Sequence, residues 1–191
     1  MRRTSVGKLT YLMNVSLDGF VETPDRGLDW TVVDEELHGW FNEQSRRVDA
    51  SLYGRRLYEV MASHWPTAED DPSITGVERE FAQIWNSKPI VVFSTSLDSV
   101  VDNARLVKGD VEPILAELRK EFPGDLEVGG PNLAGQFIQR GLVDEFHLVI
   151  HPVAIGAGTP YWPVLDAPIR LRQTGTRTFE SGARSVSFER A

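Results

Sequence analysis

Three short stretches of this 191-residue chain carry residue types suited to holding an anion. In DLEVGGPNLAGQFI (125–138), an apolar run meets Gly129-Gly130 and then Pro131, whose fixed φ and missing N–H suit the first position of a helix. Glycines let a ligand lie against the main chain. The free N–H groups near Asn132 and Leu133 sit at the positive end of the helix dipole and favour an anion. Gly54-Arg55-Arg56 opens another helix with two guanidinium forks, which suit a phosphate monoester such as the 2′-phosphate that separates NADP from NAD. Ser94-Thr95-Ser96 follows the run PIVVF and offers short hydroxyls to a ribose or phosphate. Taken singly, these stretches read equally as a tight turn, a solvated arginine pair and a Ser/Thr turn. All three fall at the carboxyl ends of predicted strands, where open α/β sheets collect ligands, and together they indicate a dinucleotide site. No GxGxxG follows a strand and no GxxxxGK[ST] occurs, so the ordinary Rossmann and P-loop patterns are excluded.

A proton-transferring acid is the second requirement. Asp34 and Glu35 lie four and five residues beyond Trp30, at the start of a helix, and Asp18 precedes Gly19. In a half-apolar pocket any of these carboxyls could have a raised pKa and relay a proton. The simpler roles are complementing the helix dipole for Asp34 and Glu35, and shaping a turn for Asp18. His147 and His151 are four apart on a predicted strand, on one face but roughly 13 Å from each other, too far to share a metal. No metal site is expected.

The elements that position these residues are legible from pattern. Lys8–Val15 (KLTYLMNV) reads as a buried central strand, broken at Asp18-Gly19 and resumed at Phe20-Val21. ETPDRGLDW (22–30) is loop chemistry. A helix follows, with Asp34, Glu35 and Glu36 in its first turn, an apolar stripe of Leu37, Trp40 and Phe41, and Arg46 and Arg47 near its end. Strands are predicted at 48–53, 89–93, 104–107, 125–128 and 144–152. Helices start near Gly54, Val77, Pro113 and Pro131, and an exposed loop is expected over 67–76. Residues 155–163 read as a loop leading into a hairpin of 169–179 and 184–188. Strands alternating with helices, then strands alone, give a mostly parallel α/β sheet with an antiparallel edge.

The length suits one domain spanning 1–191, and the composition is that of a globular protein: 41% hydrophobic and 25% charged residues. A net charge of −8 argues against general nucleic-acid binding, while an anionic small ligand answers only to the local field. The absence of cysteine excludes disulfides and thiolate chemistry. The start MRRTSVGKLTYLM lacks a leader's apolar core, and no run nears the roughly 18–20 apolar residues of a membrane span, so a cytoplasmic location is expected.

The order LTYLMNVSLDGFVE, Trp30, LYGRRLYEVM, KPIVVFSTSL and LEVGGPNLAGQFIQRGLVDEFHLVIHPVAIGAGTPYW resembles the dihydrofolate reductase-like superfamily. Within it the chain is most similar to the reductase domain of riboflavin biosynthesis and its stand-alone relatives. The resemblance implies a three-layer fold and an NADPH-dependent reductase passing hydride to a C=N or similar acceptor of a pyrimidine- or pterin-like substrate. It implies that main-chain groups of Met13 and Asn14 meet the nicotinamide carboxamide, and that Gly19–Leu28 form a mobile loop with Trp30 at its hinge beside the substrate. Gly54, Arg55, Arg56 and Leu57 would hold the adenosine-side phosphates, and Ser94, Thr95 and Ser96 the adenosine end. Gly129, Gly130, Pro131, Asn132, Leu133 and Ala134 would carry the pyrophosphate. Asp18, Trp30 and Glu35 are the catalytic candidates, Glu35 having the spacing nearer to that of the folate reductases' acid.

Two departures bear on the substrate. The riboflavin-pathway enzymes usually place a glutamate just before the paired glycines, where this chain has Val128; Glu127, one residue earlier, points to the opposite face of the strand. The cysteine signature of the zinc deaminase often fused to those enzymes is absent. A true dihydrofolate reductase and a non-catalytic nucleotide-binding protein are the alternative functions. A homodimer is expected, because the antiparallel tail leaves an open sheet edge and relatives commonly pair.

Overall fold

The computed structural model describes residues 7–191, so the first six residues of the stretch weighed above for a leader lie outside the described residues. The strands are β1 (Leu9–Ser16), β2 (Phe20–Glu22), β3 (Val48–Gly54), β4 (Ile90–Phe93), β5 (Ala104–Val107), β6 (Asp125–Gly129), β7 (Glu145–His151), β8 (Thr159–Pro160), β9 (Leu171–Thr178) and β10 (Arg184–Arg190). The helices are α1 (Glu35–Arg47), α2 (Arg55–Ala62), α3 (Gly76–Ser87), α4 (Val111–Glu121) and α5 (Pro131–Gln139). Eight strands form one sheet in the order β5-β4-β3-β6-β1-β7-β10-β9. The first six run parallel, and β10 pairs antiparallel with both β7 and β9, the expected mostly parallel α/β sheet with a hairpin edge.

Helices cover both faces. On one, Leu115 and Leu118 of α4 and Phe137 of α5 pack against Leu9, Tyr11 and Leu126. Phe137 is fully buried there, and truncating such a side chain to alanine costs about 3–5 kcal/mol. On the other face, Leu37 and Trp40 of α1 meet Val149 and Phe179, while Tyr58 of α2 and Trp85 of α3 close over Tyr53, Ile90 and Val92. α1 starts where its sequence says: the Asp34 carboxylate accepts the Leu37 N–H at 2.8 Å, and Arg46 and Arg47 occupy the last turn.

Two local expectations are corrected. Residues 67–76 are not all exposed loop: Trp65–Asp70 form a 3-10 helix that buries Ala68, and Thr75 caps α3 in a reciprocal bond with Glu78. The loop over 155–163 contains β8, which pairs antiparallel with β2. Those strands are too short for any alternation of apolar residues to register. No helix among the described residues is long and apolar enough to cross a membrane.

Candidate active site

β6 accompanies β1 only as far as the Tyr11–Val128 pair, whereas β7 stays paired with β1 through Ser16. The side of β1 facing β6 therefore has unladdered main chain from Leu12 onward. A crevice opens there at the carboxyl ends of the central strands, a cavity of about 700 Å³, which falls in the size range of ligand pockets.

The sequence-predicted stretches meet in this cavity. Met13, Gly54, Arg55, Arg56, Leu57, Ser94, Thr95, Ser96, Gly130, Pro131, Asn132 and Leu133 all line it. Gly130 precedes α5 with φ 90° and ψ 124°, a conformation open to glycine and strained for other residues. A Cβ on Gly129 would overlap the Leu57 side chain. With Pro131 lacking an N–H, Asn132 and Leu133 are left as first-turn donors without intrahelical acceptors. Ala134 differs: it is fully buried and its N–H is bonded to the Gly130 carbonyl at 3.0 Å.

The arginines already have protein partners. Arg55 donates to Glu59 at 2.7 Å and to the Ser96 hydroxyl at 2.9 Å, tying the β3 and β4 strand ends together. Arg56 donates to Glu22 at 2.9 Å and to the Arg26 carbonyl at 3.1 Å. Glu22 in turn accepts from Thr159 at 2.7 Å, so Arg56 anchors the loop after β2 to the rim of the cavity. Arg26, at φ 71° in that loop, and Leu28 are themselves lining residues. Ser94 uses its hydroxyl to accept the N–H groups of Ser96 and Leu97 at 3.2 and 3.1 Å, which makes it a turn-former as well as a wall.

Sequence reasoning missed Lys108 and Gln136 among the lining residues, and had Glu22 and Arg26 only as part of the Gly19–Leu28 loop that the resemblance implied. Lys108 was within reach of the same logic, since it follows β5 and so stands at a fourth strand end. The tie of Glu22 and Arg26 to Arg56 gave no signal, because Arg56 lies about thirty residues away. Four cations and two carboxylates line the cavity, so it is locally basic in a chain of net charge −8.

The three catalytic candidates are not brought into it. Asp18 accepts from the Ser16 hydroxyl at 2.6 Å and from the main-chain N–H groups of Gly156 and Ile155 at 2.7 and 3.1 Å. The Ser16 bond first, then the backbone donors, hold its carboxyl below the usual range, so it pins a turn and carries no proton at neutral pH. Gly19, beside it, supplies the positive φ of that turn. Glu35 is an exposed first-turn residue of α1, outside the cavity lining. Asp34 is occupied by the Leu37 and Ser181 N–H groups, and the Leu37 bond chiefly keeps it ionised. Trp30 lies in the loop, with its indole N–H buried and unpartnered and its ring edge-on to His151 at 5.6 Å between centroids.

Asn14 turns to the opposite face of β1 from Met13. Its side-chain oxygen is 2.9 Å from Nε2 of His151, which is 1% exposed. Val128 is core. Glu127, on the other face of β6, hydrogen-bonds to Ser51 at 2.5 Å, and burial raises its pKa. No cluster of three metal-ligating side chains occurs among the described residues.

The sheet order, the covering helices and the crevice beside β1 define a dihydrofolate reductase-like α/β protein. The chain belongs to the family of RibD C-terminal domains, whose model matches residues 7–184. It is 32% identical over 175 residues to YyaP, an uncharacterized protein of Bacillus subtilis, covering 91% of this chain and 90% of that one. Among solved structures it is similar to a Shewanella protein provisionally assigned to riboflavin biosynthesis, with TM-score 0.75, 22% identity, and 96% and 99% of the two chains covered. It is also similar to Enterococcus faecalis dihydrofolate reductase complexed with NADP(H), with TM-score 0.62, 13% identity and 97% of each chain covered. At these identities the structural matches speak to fold alone.

Proposed function

We propose that the protein is an NADPH-dependent reductase that delivers hydride to a C=N or related acceptor in a pyrimidine- or pterin-like heterocycle. It would thus be similar in chemistry to the pyrimidine reductases of riboflavin biosynthesis. One observation carries this reading: four strand ends, each bearing main-chain donors, hydroxyls or a cation, share one cavity beside the open edge of β1. The residues fit the coenzyme. Arg55, Lys108 and the 94–96 hydroxyls suit its phosphorylated adenosine end, the N–H groups of Asn132 and Leu133 its pyrophosphate, and the unladdered main chain at Met13 and Asn14 its carboxamide. When bound, the reduced nicotinamide supplies the hydride. The protein orients the two reactants, and the loop carrying Arg26 and Leu28 excludes water from above them.

The test is direct binding followed by turnover. NADPH titrated into the protein should quench tryptophan emission saturably, and NADPH oxidation should then follow on some member of a pyrimidine and pterin panel. Saturable binding without turnover would favour a nucleotide-binding protein instead, a reading supported by the engagement of Asp18 and Asp34 as acceptors. No binding of NADPH would end the proposal. We also propose a homodimer covering the exposed β9 edge; sedimentation at the 21.4 kDa monomer mass would remove it.

A further inference from the structure

The loop that borders the coenzyme cavity with Arg26 and Leu28 continues to a second, separate set of contacts. Its Trp30 and Val32 lie against His151, on the opposite face of β1 from Met13. His151 is almost completely buried, yet no charged side chain among the described residues pairs with it. Nε2 meets the Asn14 amide oxygen at 2.9 Å, and Nδ1 receives the Val32 main-chain N–H at 3.4 Å. Because an N–H points at Nδ1, that nitrogen carries the lone pair, and Nε2 carries the proton it donates to Asn14. The Val32 contact is longer than a normal N–H···O or N–H···N bond, and Val32 itself is 59% exposed, so this partner is readily exchanged. Beside it, the Trp30 indole N–H is buried with no partner among the described residues. A buried donor left unmade is costly and marks a place where a ligand or water completes the bond.

We propose that Nδ1 of His151 and the indole N–H of Trp30 form a substrate subsite beneath residues 28–33 that reads the cyclic amide edge of an uncharged planar heterocycle. This rests on the reductase reading above and names the substrate class for it. His151 accepts the ring N–H, displacing Val32, and Trp30 donates to the neighbouring carbonyl. The two rings already touch edge-on, 5.6 Å apart between centroids, so the heterocycle enters as residues 28–33 lift from His151. Asn14 acts through His151: it fixes the tautomer that leaves Nδ1 free to accept, and is thus a positioning residue. The aliphatic residues Leu28, Val32 and Val33 of the same loop are at least one-third exposed and would cover the flat faces of the ring.

The experiment uses the full chain saturated with NADP⁺ and the probes lumazine, pterin and uracil, with 1,3-dimethyllumazine, whose amide nitrogens are blocked, as the contrast. The readouts are the imidazole nitrogen resonances of His151 and the indole N–H resonance of Trp30, assigned from His151→Gln and Trp30→Phe, with dissociation constants from the same titrations. Lumazine or another amide-bearing probe should shift both resonances, and the dimethyl compound should bind at least tenfold more weakly to the unaltered protein. His151→Gln should weaken the amide-bearing probe about tenfold while leaving NADPH affinity unchanged, and Asn14→Ala should weaken the probe less. Equal binding of lumazine and its dimethyl derivative would overturn the proposal, as would probe binding that leaves His151 unmoved, or failure of every probe to bind when NADPH binds normally. If NADPH itself does not bind the unaltered chain, the reductase reading falls, and the subsite with it.

Discussion

Replacing Gly130 with alanine tests whether the main chain at the start of α5 is the anion cradle. At φ 90° and ψ 124° a Cβ is conformationally strained, although the nearest atom it would meet, Cβ of Leu57, is an acceptable 3.5 Å away. The perturbation is therefore torsional, not steric, and such strain costs about 1–3 kcal/mol. For a chain of this length each kcal/mol lowers Tm by roughly 2–4 °C, giving a drop of about 2–12 °C. Relaxing toward negative φ would rotate the Gly129–Gly130 peptide and re-aim the following N–H groups, so coenzyme affinity should fall about tenfold or more. The control is Gly141→Ala, also at positive φ (71°) but at the far end of α5 with open space around its Cβ. It should lower Tm comparably and leave NADPH affinity untouched. Calorimetric titration of NADPH into both variants, with melting curves, separates the outcomes. If Gly130→Ala melts early but binds NADPH as tightly as Gly141→Ala does, the main chain at 130 is not part of the cradle.

Arg55→Ala should weaken NADPH about tenfold and NADH hardly at all, because the guanidinium lies beside Ser96, at the end of the cavity proposed for the adenosine; half of its side chain is exposed, which places the loss near the bottom of the ~1.5–3 kcal/mol range for charged hydrogen bonds. An equal loss for both coenzymes would remove the 2′-phosphate assignment. Asp18→Asn keeps an oxygen to accept from Gly156, so turnover on any active substrate should survive; a hundredfold loss in a folded variant would restore Asp18 as the proton source. Burial raises the folded pKa of Glu127 above its unfolded value, so the folded chain binds the extra proton and stability falls as pH climbs from about the unfolded value of 4.5 through the folded one. Glu127→Gln should match the parent at low pH and melt higher at pH 7–8, and parallel melting profiles across that range would refute this. His147 and His151 are held neutral by burial, with folded pKa values below 6.5, so their contribution is intact above pH 6.5 and declines as pH falls through the folded values; His147→Gln and His151→Gln should each flatten that acid-side decline in melting temperature.

The strands were legible because parallel, doubly covered strands need uninterrupted apolar, β-branched runs, and PIVVF and KLTYLMNV supply them. The Thr75–Glu78 capping box was equally visible in sequence, but the acids and Pro72 before it read as loop. β8 escaped because a strand of two residues has no period to detect, and its pairing with β2, whose start at Phe20-Val21 was legible, joins segments well over a hundred residues apart.

A similar divide runs through the site. The half proposed for the coenzyme is made largely of main-chain donors at strand–helix junctions. Presenting such donors demands glycine, proline, small hydroxyls and arginine within a few consecutive residues, so Gly129-Gly130-Pro131, Gly54-Arg55-Arg56 and Ser94-Thr95-Ser96 are visible without a structure. The half proposed for the substrate depends on side chains whose chemical state is set by neighbours distant in sequence. His151 owes its tautomer to Asn14, 137 residues away, and Asp18 owes its ionised state partly to Gly156, 138 residues on. No spacing rule reports whether a carboxyl has three donors or none, and that decides whether it can hold a proton. Asp18, a candidate through its motif, and Asp34, four residues beyond Trp30, turned out to be held by three and two donors, while His151, read as unremarkable, ended with an exchangeable nitrogen beside an indole without a partner among the described residues. The proposed coenzyme cradle is therefore readable from local sequence, and the proposed substrate subsite has to be sought where long-range pairing leaves a polar atom without a firm partner.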